Sequence, residues 1–87
     1  MATIPAVDRN GLAITIGMAI RIPRGTHIRG PFPGLDKVAG RTYVVTVSSV
    51  SPGYEATRTC PAYAPEVRWA GSGSYWLRAA AADIEVL

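Results

Sequence analysis

The chain of 87 residues has little of what most enzymes and many secreted domains are built from. It has one cysteine, Cys60, and one histidine, His27. A lone cysteine excludes an intrachain disulfide framework and a thiolate-rich zinc site. A lone histidine in a basic stretch, without an adjacent nucleophile or carboxylate, does not amount to a catalytic constellation. The longest apolar run falls far short of the roughly 20 residues of a membrane-spanning helix. The first residues, Met1-Ala2-Thr3-Ile4-Pro5, carry neither a basic n-region nor an apolar h-region, so no secretory signal is predicted. These absences predict a cytoplasmic protein with no membrane association, no metal and no cofactor. They also predict a protein that is not an enzyme.

Acidic residues are scarce where basic ones gather. Arg21, Arg24, Arg29, Lys37 and Arg41 meet only Asp36, whereas after residue 41 three arginines face four carboxylates. The formal net charge of +3 therefore resides in one segment. Eight of the nine cations are arginine, whose planar fork suits phosphate or carboxylate. A GC-rich coding sequence, which enriches Arg, Ala, Gly and Pro together, accounts for the same composition equally well.

What is present is β-patterning. Residues 66–78 (EVRWAGSGSYWLR) predict a hairpin: Val67 and Trp69 alternate with Arg68, a Gly/Ser turn follows, and Tyr75 and Leu77 alternate with Trp76 and Arg78. Both tryptophans lie in it. Residues 12–22 (LAITIGMAIRI) alternate strictly and predict a strand, with Gly17 marking either a bulge or the break between a lead-in and a strand beginning at Met18. Residues 41–50 (RTYVVTVSSV) are rich in β-branched side chains and predict another strand. A short turn over 79–82 and a closing strand over 83–87 complete the pattern. Residues 1–11 read as a lead-in. Residues 23–40, dense in proline and glycine, read as a long loop without regular structure, and residues 51–65 as a second long loop, with a turn at Ser51-Pro52-Gly53 and extended chain at Cys60-Pro61 and Ala64-Pro65. The core face is predicted to hold Ile20, Val45, Trp69 and Leu77, with Arg21, Arg68 and Arg78 outward. Glu66, Asp83 and Glu85 read as ordinary surface charges.

The expected fold is all-β: a single domain over residues 1–87 forming a small five-stranded antiparallel barrel with two long loops. Gly17-Met18-Ala19-Ile20-Arg21-Ile22 resembles the opening strand of KOW and Tudor modules. Val67-Arg68-Trp69 with Tyr75-Trp76-Leu77 resembles their central hairpin, and Asp83-Ile84-Glu85-Val86 their last turn and strand. The chain thus resembles the SH3-like barrel group over most of residues 17–86, with an OB-like barrel as the alternative. Gly30-Pro31-Phe32-Pro33-Gly34 lies too far beyond its strand to be the Gly-Pro-Phe loop of KOW motifs, so no RNA-binding residues are carried over from it. In overall style the chain also resembles small open reading frames of phages and mobile elements.

The resemblance implies a binding module, and the charge pattern suggests where. Arg21, Arg24, Arg29, Lys37 and Arg41 are candidate phosphate contacts, and His27, Phe32 and Tyr54 candidate stacking partners for DNA or RNA. The alternative is a protein-interaction module that takes an acidic protein surface, such as an inhibitor of a host or defence protein or a small virion component. Tyr54, Tyr63, Tyr75 and Trp76 would then anchor the interface. A methyl-lysine cage ranks below both, because Trp69, Tyr75 and Trp76 alternate between faces.

Overall fold

The computed structural model describes residues 3–71 and 75–87. Among these residues ten short strands run β1 (Thr3–Ile4), β2 (Ala19–Ile22), β3 (His27–Ile28), β4 (Lys37–Val38), β5 (Tyr43–Thr46), β6 (Ser49–Ser51), β7 (Gly53–Tyr54), β8 (Glu66–Ala70), β9 (Trp76–Ala80) and β10 (Glu85–Val86). Two 3₁₀ turns, Pro33–Leu35 and Ala81–Asp83, interrupt them. The fold is all-β and compact, and among the described residues no helix is long and apolar enough to cross a membrane.

Every ladder is antiparallel. Two three-stranded sheets, in the orders β10-β2-β5 and β6-β8-β9, form the body, and two-stranded ladders β1-β7 and β3-β4 flank it. The sheets are open. The expected closed five-stranded barrel is not what the ladders form, because β5 and β6 belong to different sheets, separated by Val47 and Ser48.

The core lies between the two bodies. Ile20, Ile22, Ile28, Val47, Val67, Trp69, Ala79 and Ile84 are buried, and Met18, Tyr43, Val45, Val50, Leu77 and Val86 pack against them. Strand alternation produces this directly: Val67 and Trp69 of β8 point inward opposite Ala79 and Leu77 of β9, while Arg68 points outward opposite Arg78. The central hairpin is where the pattern placed it, while the short turn before the closing strand comes later than 79–82, at Ala81–Asp83, because β9 runs on through Ala80. The hairpin's Gly/Ser turn at 72–74 lies outside the described residues.

Four expectations need correction. Of the two readings of residues 12–22, the single bulged strand fails and the break at Gly17 holds. Gly17 takes φ +89°, open only to residues without a Cβ penalty, and the chain turns there, with the Met18 N–H donating to the Thr15 carbonyl. Leu12 and Ile16 are consequently exposed, and only Ala19–Ile22 pairs as strand. Residues 41–50 likewise split into β5 and β6 around buried Val47. Residues 1–11 are more than a lead-in. Asp8 is buried, and its carboxylate accepts from the Asn10 and Leu12 N–H groups and, 78 positions away, from that of Val86. Those backbone donors, Val86 first, hold the Asp8 carboxyl below its usual 3.8 against the opposing effect of burial. Finally, residues 23–40 are not irregular. They form an arm in which β3 pairs with β4, and Thr26, Ile28, Gly30 and Ala39 are buried.

Candidate nucleic-acid interface

The arm lies along the edge of β9. Thr26, Ile28 and Gly30 face inward and alternate with His27 and Arg29, which face out. At Gly30 a Cβ would run into Leu35 of the arm's own return, so the tight fold of the arm requires glycine there. An antiparallel bridge fixes the arm to the sheet: the Arg29 N–H donates to the Arg78 carbonyl at 2.8 Å, and the Arg78 N–H to the Arg29 carbonyl at 2.9 Å.

Beneath this bridge is the one carboxylate of the sheet that solvent barely reaches. Glu66 is 2% exposed and was expected to be an ordinary surface charge. It is covered because Arg29 from the arm and Tyr63 from the second loop both donate to it. The Arg78 Nε lies 3.9 Å away, outside hydrogen-bond reach, and is itself buried without a partner. The Tyr63 hydroxyl is held above the usual phenol value of 10, chiefly by its hydrogen bond to Glu66 and then by burial. A buried acid on an outward-facing strand position is stable only with such partners.

Beyond Glu66 the outer face of β8 and β9 turns cationic and aromatic. Arg68 stands opposite Arg78, Ala70 opposite Trp76, and Ser49 of β6 opposite Arg68. Trp76 is 56% exposed. Two adjoining depressions of about 220 and 240 Å³ share Arg68 and Trp76: one is completed by Gly30, Pro31 and Arg78, the other by Ser48 and Ser49. No carboxylate lines either, among the described residues. At the arm's tip Phe32 meets Tyr75 edge-on, ring centroids 5.6 Å apart.

The expected site residues do not form one surface. Arg21 pairs with Glu85 at 3.0 Å, and Arg9 shares that carboxylate at 3.3 Å. Arg24 and His27 line a depression of about 480 Å³ with Arg9, Thr26 and Asp83. Arg29 is committed to Glu66. Lys37 and Arg41 lie over the Tyr43 ring, at 6.0 and 4.9 Å from its centroid. Tyr54 lies on the second loop, lining a pocket of about 360 Å³ with Glu55, Cys60, Pro61 and Tyr63. Phe32, Tyr75 and Trp76 do gather around the arm's tip and the β9 hairpin. The sequence reading missed Arg68 and Arg78 as site residues, though their parity with Trp76 in EVRWA and YWLR carried the signal. Among the described residues no three metal-ligating side chains come together. No family model, curated protein or solved structure matches the chain.

Proposed function

We propose that this protein is a single-strand nucleic-acid-binding module on an SH3-like framework. The groove between the arm and the β8–β9 face is its binding site. The strand order supports the framework. The closing strand β10 lies beside β2, β2 beside β5, and the chain then meanders through β6, β8 and β9 with a 3₁₀ turn before β10. Fold resemblance alone does not carry a function. The observation that carries this one is Trp76. An indole left more than half exposed on the same sheet face as Arg68 and Arg78, in a groove that no acid lines among the described residues, offers a stacking platform flanked by phosphate donors.

The scale of the groove favours a single strand. One exposed ring and two arginines accept one splayed base at a time, whereas a duplex keeps its bases stacked inside and presents only backbone. His27 and Cys60 line different depressions, so they are not disposed as a base and a nucleophile, and binding is the better class. A second reading, capture of a protein partner, draws support from Tyr54 and Tyr63, which stand exposed beside Pro61.

Titration with short single-stranded DNA and RNA, followed by tryptophan fluorescence, tests the first reading. Trp76 should quench while buried Trp69 does not, and Trp76→Ala should abolish the signal and the affinity. With Arg68 and Arg78 each meeting one phosphate, log affinity should fall with log salt at a slope of about −1.4. Absence of quenching, together with a partner retained from nuclease-treated lysate, would favour the protein reading.

A further inference from the structure

We propose that Arg24, His27 and Arg9 form a second phosphate-binding subsite on the same strand path, one that rests on the groove at Trp76 being a nucleic-acid site. The bridge between Arg29 and Arg78 sets the register of a continuous seam. Toward one end of it the arm's Gly30 and Pro31 adjoin Trp76 and Arg78. Toward the other, Arg24, Gly25, Thr26 and His27 adjoin Ala82 and Asp83, the turn into which β9 runs without a break. Residues 24–31 and 76–83 therefore run antiparallel, and both depressions open along the line where they meet. From His27 to Gly30 the extended arm advances about 10 Å, so a bound strand leaving the groove in this direction reaches the second depression within a few nucleotides.

The chemistry of the second depression suits phosphate rather than a base. Among the described residues no aromatic ring other than the His27 imidazole lines it. Arg24 and His27 make no ion pair or side-chain hydrogen bond among the described residues, so their donors face solvent. Arg9 comes from the N-terminal segment, pinned there by its N–H to the Ile84 carbonyl at 3.0 Å, and it spends only part of its fork on Glu85. The Thr26 hydroxyl donates to the Pro23 carbonyl at 2.7 Å and is already used. Among the described residues Asp83 is the one carboxylate of the lining, outnumbered by two arginines.

The test compares a thymidine dinucleotide with an oligothymidylate of about ten residues on the wild type, Arg24→Ala/His27→Ala and Asp83→Asn. The wild type should bind the longer strand more tightly. The double variant should lower that affinity about tenfold and flatten its salt slope by about 0.7, while dinucleotide binding and Trp76 quenching stay unchanged. Asp83→Asn should tighten the long strand only. Arg24→Lys alone, which keeps the charge, should leave the slope at its wild-type value. A double variant that binds both lengths like the wild type overturns the second subsite and leaves the groove standing. A wild type that binds neither length overturns both.

Discussion

Residues 23–40 and residues 51–65 are both long connections broken by proline and glycine, and they behave differently. The first buries Thr26, Ile28, Gly30 and Ala39, pairs with itself through β3 and β4, and docks on β9. The second buries only Gly53 at its start, and every side chain from Tyr54 to Ala64 is exposed. It is closed by paired backbone bonds between Tyr54 and Tyr63, at 2.8 and 2.9 Å, and by a tight turn from Thr57 to Cys60. The difference lies in the spacing of apolar side chains. THIRG alternates with period two and can lay one face on a sheet, whereas TRTCPAYAP offers no inward series. Proline and glycine content alone did not separate the two. The loop able to bury a face became the wall of the groove, and the other became a cap.

The comparison breaks most completely at Trp69. This side chain, 4% exposed, shares a small pocket with Ile28 and Lys37 of the arm, so it supports the first loop. Trp69→Ala should cost about 3–5 kcal/mol, a large share of the stability of a domain this size. Hydrogen exchange should show the arm's amides losing protection before those of Tyr54 and Tyr63. Equal loss in both would mean that the arm does not depend on the core beneath it.

Glu66 is the next point of attack, because both loops touch it: Arg29 reaches it from the arm and Tyr63 from the second loop. Glu66→Gln keeps the shape but offers one oxygen where two donors need acceptors. The expected loss is about 1.5–3 kcal/mol by chemical denaturation, tempered because Arg29 is half exposed and can turn to water. A freed Arg29 guanidinium would also add a cation to the groove. The salt slope for oligonucleotide binding should therefore steepen even as stability falls.

Gly53→Ala confines damage to the second loop. A Cβ there would lie 2.5 Å from the Tyr63 carbonyl oxygen and 2.8 Å from the Pro65 nitrogen, both backbone atoms that cannot rotate away. The bridge between Tyr54 and Tyr63 must open, at about 1–3 kcal/mol, and Tyr63 should drift from Glu66. Oligonucleotide affinity at Trp76 should hold. A parallel loss of affinity would show that the second loop also shapes the groove.

How much of this was legible follows the same division. The hairpin of β8 and β9, the turn before β10, and the inward set Ile20, Trp69 and Ile84 are local consequences of period-two alternation, and the sequence carries them plainly. The alternation of residues 12–22 left a bulge and a break at Gly17 equally open, since it continues through Gly17 while the backbone does not. The cationic face was half legible: Arg68, Trp76 and Arg78 share parity within their strands, but which strands are neighbours of the arm is a tertiary fact. The burial of Glu66 was not legible at all. It depends on Arg29, 37 positions away, and no local pattern distinguishes it from a solvated strand acid.

The smallest effect belongs to Tyr63→Phe, and it sharpens the comparison by pH. The Tyr63 hydroxyl donates to Glu66, which raises its folded-state pKa above the ordinary 10. A raised value means that the folded chain holds this proton more tightly than the unfolded chain does. The contribution is therefore fully present below pH 10 and is lost as pH climbs through the folded value. Removing the hydroxyl leaves Glu66 still paired with Arg29, and Tyr63 is already 44% exposed, so the cost at neutral pH should be about 1 kcal/mol or less. The wild type should lose stability as pH rises above 10, and Tyr63→Phe should lose less over the same range, so their denaturation midpoints converge. Arm protection should be unchanged in the variant, because Arg29 and the bridge to Arg78 hold the arm without Tyr63. Should the arm loosen as well, Glu66 would be holding the two loops as one unit, and their separation would fail.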